Sequence, residues 1–353
     1  MGKARTHDGL LDVPVIDITP FREPNPAAGE SGSAARDAVA VQVDRAAREA
    51  GFMQIVGHGI EPAVLDRFTS ATDAFFALDL ETKNRYRCPP GINRGYSPPK
   101  SESLVNSLGL TSPADLFEAF NIGVSAADHP GLDLPTDDYA ANLYPAEVPG
   151  FEAAVTGWFA EAGAVARTMT RIFGRALGLG EDYFARYTDH SLDVLRMNNY
   201  RLPAPDVQLE PEQLGMGAHT DYGIVTVLWA DGVPGLEILD TDGRWHPAQP
   251  APGALLVNLG DGLARWTNDE WLSTMHRVAP PRVGGVLVPR RSAAYFHDGN
   301  IDAVIECLPS CVGPGRPAAY EPVTIGEHLR AKLAGSRAGQ LTATPGREAA
   351  RLR

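Results

Sequence analysis

The sequence predicts a mostly β protein with flanking helices, in which a sandwich or jelly-roll core follows a mixed α/β N-terminal region. Three observations predict this class. Apolar residues recur at helical spacing in much of the first half, whereas from Val194 onward short apolar stretches alternate with turn residues. The pair Asp242-Gly243 is typical of a tight hairpin. A succession of short strands joined by such turns favours packed antiparallel sheets.

The first half is predicted to alternate helices with short strands. Val39, Val43 and Ala46 follow helical spacing, and Gly51 stands where a helix commonly ends. In chain order we expect a strand over 11–18, a surface loop over 22–33, helices over 35–50 and 62–78 with a strand over 52–56 between them, and a long helix over 151–177.

The second half is predicted to be rich in strands. We expect them over 194–200, 216–221, 224–230, 236–239, 254–259, 275–278 and 292–297. A loop-rich stretch follows, with a final helix over 325–333 and a polar tail. We expect one compact unit made of an N-terminal α/β region over 11–130, helical support over 147–190, a jelly-roll core over 191–300, and a C-terminal loop, helix and tail over 301–353.

The composition restricts the partners that we expect. Thirty-one Lys and Arg residues stand against 44 Asp and Glu residues, a net charge of −13, which disfavours nucleic acid and anionic membranes as partners. The longest apolar stretches are far too short to span a membrane. Three cysteines are an odd number that fits a reducing compartment. We therefore expect a cytoplasmic protein without nucleic acid or membrane partners, monomeric or weakly homo-oligomeric.

His219-Thr220-Asp221 and the later His276 form the candidate metal site. Side chains two apart on a strand project from one face, so His219 and Asp221 would point at the same place. Two imidazoles and one carboxylate on one face of a metal leave other positions open, which suits non-haem Fe(II). Zinc accepts the same ligands, so the residues alone leave the metal open.

Arg290 and Ser292 form a candidate carboxylate site by the same alternation. The planar guanidinium of an arginine matches the two oxygens of a carboxylate, and a hydroxyl beside it adds a donor. Arg291 points to the other face and is expected at the surface.

The order of the motifs resembles the isopenicillin N synthase-like branch of the iron- and 2-oxoglutarate-dependent dioxygenases. The resemblance covers most of the chain. It is carried by Val13-Pro14-Val15-Ile16-Asp17, Gly51-Phe52-Met53-Gln54-Ile55-Val56-Gly57-His58-Gly59-Ile60, Gly95-Tyr96, Asn198-Asn199-Tyr200, Ala218-His219-Thr220-Asp221, Pro234-Gly235-Leu236-Glu237, Val257-Asn258-Leu259-Gly260-Asp261, Thr267-Asn268, His276-Arg277-Val278 and Arg290-x-Ser292.

The resemblance implies a double-stranded β-helix and an oxygenase. His219, Asp221 and His276 would bind Fe(II), whereas Arg290, Ser292 and Tyr200 would hold 2-oxoglutarate. Dioxygen would be the second co-substrate, with ascorbate as a supporting reductant. The reaction would release succinate and CO2 and oxidise a C–H bond of a small molecule by hydroxylation, desaturation or cyclisation, in a biosynthetic role. Residues 280–287 form a longer segment than is usual in the family, which leaves the register of Arg290 against the metal open.

The primary substrate is not readable from the sequence. Candidate substrate-binding residues from both halves of the chain are Arg94, Tyr96, Lys100, Phe117, Phe120, Asn121, Trp266 and Phe296. Two alternatives to a 2-oxoglutarate-dependent oxygenase remain. One is an Fe(II) oxidase of the same fold that uses no 2-oxoglutarate, like isopenicillin N synthase or aminocyclopropane-carboxylate oxidase. The other is a metal- or ligand-binding sensor without turnover.

Overall fold

The computed structural model describes residues 6–7, 10–11, 13–22, 30–105, 113–201 and 213–338. The strands are β1 (Thr6–His7), β2 (Leu10–Leu11), β3 (Val15–Asp17), β4 (Phe52–Val56), β5 (Gly95–Ser97), β6 (Glu118–Gly123), β7 (Val194–Tyr200), β8 (Met216–His219), β9 (Val225–Ala230), β10 (Leu236–Leu239), β11 (Trp245–Pro247), β12 (Leu255–Leu259), β13 (His276–Val278), β14 (Arg282–Val283), β15 (Val286–Leu287), β16 (Arg290–His297), β17 (Val304–Ile305) and β18 (Val323–Thr324). The α-helices are α1 (Thr19–Arg22), α2 (Glu30–Glu49), α3 (Pro62–Ala77), α4 (Leu80–Asn84), α5 (Phe151–Ala176), α6 (Asp261–Trp266) and α7 (Ile325–Ala338).

Two facing sheets form the core. The larger has eight strands in the order β3-β4-β12-β9-β16-β7-β6-β5, and the smaller has four in the order β11-β10-β13-β8. Only β3 and β4 pair in parallel among these strands. Buried side chains of the two sheets meet in one apolar cluster that includes Phe52, Leu256, Leu236 and Val278. The predicted jelly roll, a double-stranded β-helix, is confirmed, and N-terminal strands extend the large sheet at both edges.

Helices of the N-terminal half cover the outer face of the large sheet. Within α5, Val155, Trp158 and Ala162 recur at helical spacing and are buried, so one side of this helix packs inward. The Trp158 ring stacks on Phe68 of α3, with 5.0 Å between ring centroids. None of the described helices is long and apolar enough to cross a membrane.

Several elements differ from the predictions. Helix α2 begins at Glu30, inside the stretch predicted as loop, and residues 23–29 of that stretch lie outside the described residues. The strand predicted over 11–18 is divided between β2 and β3 on either side of Pro14, which has no N–H to donate. Strand β6 was not predicted, because Glu118 and Asn121 give it a polar sequence although all six of its residues are buried. The bounds predicted for β4, β7 and β10 agree with the structure.

Candidate metal centre and co-substrate site

Three buried side chains converge between the sheets. His219 ends β8, His276 begins β13, and these two residues are paired across the small sheet. Their Nε2 atoms lie 3.8 Å and 3.7 Å from Asp221 Oδ1. The three ligand atoms lie within 4.8 Å of one another, an arrangement in which a single metal ion could contact all three.

Backbone carbonyls orient both imidazoles. His219 Nδ1 donates to Gly217 O at 2.8 Å, and His276 Nδ1 donates to Thr274 O at 3.1 Å. A carbonyl can only accept, so each Nδ1 carries the proton and each Nε2 offers its lone pair to the centre. Burial, followed by the repulsion of His276, lowers the pKa of His219 to about 4. The imidazole is therefore neutral and able to bind a metal at physiological pH.

Asp221 lies two residues beyond the end of β8, so the prediction that it shares a strand with His219 is wrong. Side chains of strands β9 and β12 orient its carboxylate instead. Its Oδ2 accepts hydrogen bonds from Thr226 Oγ1 at 2.5 Å and from Asn258 Nδ2 at 2.6 Å, which leaves Oδ1 toward the imidazoles. Its carbonyl accepts from the N–H of Asp261, the first residue of α6, at 2.8 Å.

Arg290 and Ser292 face the cavity from β16, as their alternation predicts. Both are buried and line the same cavity as the three ligands. Arg290 Nε donates to Val233 O at 3.1 Å, whereas its Nη1 is buried without a hydrogen-bond partner among the described residues. A buried guanidinium with an unused donor calls for an acceptor. Ser292 Oγ accepts from Asn198 Nδ2 at 3.4 Å.

Tyr200 also lines the cavity, opposite Arg290 in the pairing of β7 with β16. Its ring centre lies 5.1 Å from the Arg290 guanidinium carbon, and its hydroxyl lies 3.8 Å from Met216 Sδ. Burial raises the pKa of Tyr200, so the phenol stays protonated. It can therefore donate a hydrogen bond to an anion at this end of the cavity.

Arg291 points to the opposite face, as expected, but it is not a solvated surface residue. It is half-buried, its Nε donates to Asp73 Oδ1 at 2.8 Å, and its Nη1 donates to Asn199 Oδ1. Its guanidinium carbon lies 5.1 Å from the centre of the Phe76 ring. Helix α3 covers this side of the sheet and supplies Asp73 and Phe76, whereas Asn199 lies on the neighbouring strand β7.

The longer segment after His276 does not disturb the register of Arg290. Strands β14 and β15 form a separate two-stranded hairpin in which Val283 and Val286 are exposed. Beyond it, Arg290 pairs with Tyr200 and Ser292 pairs with Asn198. The extra residues are therefore absorbed by the hairpin before β16 begins.

The eight substrate candidates divide into two groups. Arg94 and Phe296 line the cavity, although the guanidinium of Arg94 donates to four backbone carbonyls. The other six do not appear among the described lining residues. Phe120 and Trp266 pack in the main core, and Lys100 is exposed. Tyr96 is buried and donates to Glu118, whereas Asn121 is buried and donates to Asn93. Phe117 lies under the Arg196 guanidinium.

Several residues at the site were missed by the sequence analysis. Asn258 was not among the candidate site residues, but its amide donates to Asp221. Arg196 and Glu102 line the cavity and form an ion pair of 2.9 Å between side chains that are 10% and 6% exposed. Arg196, Asn198 and Tyr200 follow one another at the strand period of two, and this alternation was a signal that could have identified Arg196.

The residues fit Fe(II) and 2-oxoglutarate. Two imidazoles and one carboxylate match the facial set that leaves positions open on the metal. The unused donor of Arg290 lies in the same cavity and can bind the distal carboxylate of a dicarboxylate.

Comparisons with known proteins agree with this geometry. Residues 13–147 match the family described as non-haem dioxygenase in morphine synthesis, N-terminal, and residues 192–299 match the 2OG-Fe(II) oxygenase superfamily. The chain is 34% identical to the 2-oxoglutarate-Fe(II) type oxidoreductase hxnY of Emericella nidulans, covering 90% of this chain and 88% of that one. It is 30% identical to homoarginine-6-hydroxylase of Oryza sativa, covering 91% and 96%. The structure of Neurospora crassa T7H with alpha-KG and thymine is similar at a TM-score of 0.78 and 29% identity, covering 94% and 98%.

Proposed function

The chain belongs to the 2OG-Fe(II) oxygenase superfamily, and we propose which of its residues carry the activity of an Fe(II)- and 2-oxoglutarate-dependent oxygenase. His219, Asp221 and His276 bind Fe(II), and Arg290, Ser292 and Tyr200 bind 2-oxoglutarate. When bound, iron and 2-oxoglutarate supply an oxidation by dioxygen that releases succinate and CO2 and oxidises a C–H bond of a small molecule. The jelly-roll region, 191–300, contributes all six of these residues.

One observation carries this assignment: the unused Nη1 of Arg290 is buried in the cavity that the metal ligands line. The distal carboxylate of 2-oxoglutarate would accept hydrogen bonds from this Nη1 and from the hydroxyl groups of Ser292 and Tyr200. Backbone carbonyls hold the imidazoles of His219 and His276, and the apolar walls formed by Leu228, Leu236 and Val278 exclude water around the co-substrate carboxylate.

The experiment that tests the assignment compares two arginines of one strand. Replacing Arg290 with Gln leaves the co-substrate carboxylate without its counter-charge, a loss of roughly 2–5 kcal/mol, so we expect the Kd for 2-oxoglutarate to rise by about 30-fold or more. Fe(II) affinity should change little. Anaerobic calorimetry measures both affinities, and Arg291→Gln, on the opposite face, is the control. Equal loss of Fe(II) and 2-oxoglutarate binding in R290Q would contradict the assignment.

At the substrate end we propose recognition of a small polar molecule. Glu102, Asp137, Asp138 and Asp298 line the cavity together with the cations of Arg94 and Arg196. Glu102 is paired with Arg196 and Asp138 with Arg330, and burial raises the pKa of Asp298 well above its usual range. These groups therefore carry little net charge together, which favours a neutral polar substrate over an anion.

The Arg196–Glu102 pair suits a substrate that presents a carbonyl beside an N–H. Such a substrate could accept from the guanidinium and donate to the carboxylate. T7H, whose structure contains thymine, provides one example of this chemistry among the similar proteins. Succinate release stimulated by cyclic amides, and abolished in Arg196→Met, would support the proposal; stimulation by dicarboxylic acids alone would contradict it.

The oxidase alternative is not favoured, because the relatives are named for 2-oxoglutarate. Succinate formation that depends on 2-oxoglutarate separates the two activities directly.

We propose that ascorbate supports turnover by keeping iron reduced. Measuring activity with and without ascorbate tests this proposal.

We further propose a cytoplasmic enzyme, monomeric or weakly homo-oligomeric, without nucleic acid or membrane partners. The net charge of −13 supports this proposal. Sedimentation analysis of the purified protein tests the oligomeric state, and retention on DNA or on anionic vesicles at physiological salt would contradict the other part.

A further inference from the structure

The C-terminal helix α7 forms part of the cavity wall. Leu329 and Leu333 line the cavity, and Ile325 and Leu329 are buried. On the outer side of the helix, Arg330 Nη2 lies 3.0 Å from Asp138 Oδ2, in the loop that precedes α5. Its sequence predicts only a last helix before a polar tail, yet α7 closes one side of the cavity.

Lys332 reaches from α7 to the first residue of α6. Its Nζ lies 2.7 Å from Asp261 Oδ2, and the two side chains are only 15% and 8% exposed. The same Oδ2 accepts a hydrogen bond from Thr220 Oγ1 at 3.1 Å, and the Asp261 N–H donates to the carbonyl of Asp221. Asp261 therefore connects the C-terminal helix to the segment that contains two of the three metal ligands.

A second group of contacts holds the next residue of that segment. The Tyr222 carbonyl accepts from His328 Nε2 of α7 at 3.1 Å and from the N–H of Gly262 in α6 at 3.1 Å. The Lys332 ammonium also lies 5.9 Å from the centre of the Tyr222 ring. Residues 220–222 are thus fixed between α6 and α7.

We propose that Lys332 is a positioning residue for the metal centre, coupling the docking of α7 to the placement of Asp221. A buried carboxylate is stable as an anion only with a counter-charge and donors around it. Without the ammonium, Asp261 would be left buried against Thr220 and the Asp221 backbone, and this segment would have to move toward water. The inference rests on the proposed function in one respect, namely that Asp221 binds Fe(II).

The test measures Fe(II) affinity by anaerobic calorimetry in three variants of the full chain. Lys332→Met keeps the aliphatic stem and removes the charge, Lys332→Arg keeps the charge, and Arg330→Met removes a different ion pair of the same helix. Partners behind metal ligands are worth about 10–100-fold in metal affinity, so we expect a loss in this range for K332M. K332R and R330M should bind Fe(II) as the unsubstituted protein does.

Two outcomes would overturn the inference. One is unchanged Fe(II) affinity in K332M. The other is an equal loss in R330M, since general loosening of α7 would then explain the effect. Thermal unfolding checks that the variants fold, and Lys332→Gln replaces K332M under the same criteria if that variant does not. If the unsubstituted protein forms no succinate while K332M still binds Fe(II) more weakly, the proposed function fails and the positioning role stands.

Discussion

At the residue scale, the centre depends on the groups that hold the ligands as much as on the ligands. Each imidazole donates its Nδ1 proton to a backbone carbonyl, and one oxygen of Asp221 accepts hydrogen bonds from Thr226 and Asn258. These contacts determine which atom of each ligand faces the cavity. The site is therefore prearranged before a metal binds.

Asn258→Ala tests this prearrangement. Removing the amide leaves Asp221 Oδ2 with the Thr226 hydroxyl but without its second donor, so the carboxylate is less restrained in rotation. We expect Fe(II) affinity to fall by about 10–100-fold. Anaerobic calorimetry measures the affinity, with Asn84→Ala, on the exposed side of α4, as the matched control. Retention of full Fe(II) affinity in N258A would show that the hydrogen bond does not orient the ligand.

At the element scale, adjacent strands divide their residues between two environments. On β7, Arg196, Asn198 and Tyr200 face the cavity, whereas Asn199 donates to the buried Glu118 on the other side. Strand β16 does the same with Arg290 and Arg291. A shift of one residue in either strand would exchange the two sets, so the pairing of β7 with β16 is what places the co-substrate residues.

Asp115 connects the segment that contains Glu102 to β8, and its titration makes the stability of the protein depend on pH. Its carboxyl oxygens accept from the N–H groups of Leu104 and Gly217, yet burial outweighs these bonds and raises its pKa to about 7. Between about pH 4 and pH 7 the folded protein therefore holds a proton that the unfolded chain has released. This contribution to stability is complete at low pH and is lost as the pH rises through 7.

We expect Asp115→Asn to flatten that part of the pH profile, because its amide does not titrate. Urea unfolding at a series of pH values measures the free energy of unfolding in both proteins. An identical slope in the two proteins between pH 4 and pH 7 would contradict the explanation.

At the scale of the whole molecule, the N-terminal half supports the large sheet through an aromatic cluster. Phe120 of β6 is fully buried, with its ring centroid 4.7 Å from that of Phe75 and 5.3 Å from that of Phe151. These three rings connect the sheet with α3 and α5. Phe120, a substrate candidate from its sequence position, therefore has a packing role in the structure.

Phe120→Ala should lower the free energy of unfolding by roughly 3–5 kcal/mol through the cavity it creates. Urea unfolding measures the change, and Leu132→Ala, at an exposed position, is the control. Affinity for Fe(II) and 2-oxoglutarate should be unchanged in the folded protein. A small loss of stability would contradict the packing role.

Sequence periodicity predicted most strands of the jelly roll and the facing of Arg290 and Ser292, since alternation is a local property. It did not predict β6, whose Glu118 and Asn121 are buried through pairing with distant residues. Contacts between residues far apart in the chain were also inaccessible, among them Asn258 with Asp221 and Lys332 with Asp261. The sequence also did not distinguish substrate candidates that line the cavity from those that pack in the core. Aromatic residues of a core and of a cavity have similar neighbours in the sequence.

The most direct test of the central claim is an anaerobic titration of the Fe(II)-loaded protein with 2-oxoglutarate, followed by visible absorption. Chelation of iron by the 2-oxo acid is expected to produce a charge-transfer band that saturates at one equivalent of 2-oxoglutarate. Exposure to air in the presence of ascorbate, which supplies the two electrons that a substrate C–H bond would otherwise give, should then convert 2-oxoglutarate to succinate and CO2. Absence of the band with Fe(II) bound, or a band of full strength in His219→Ala, would contradict the assignment of this centre.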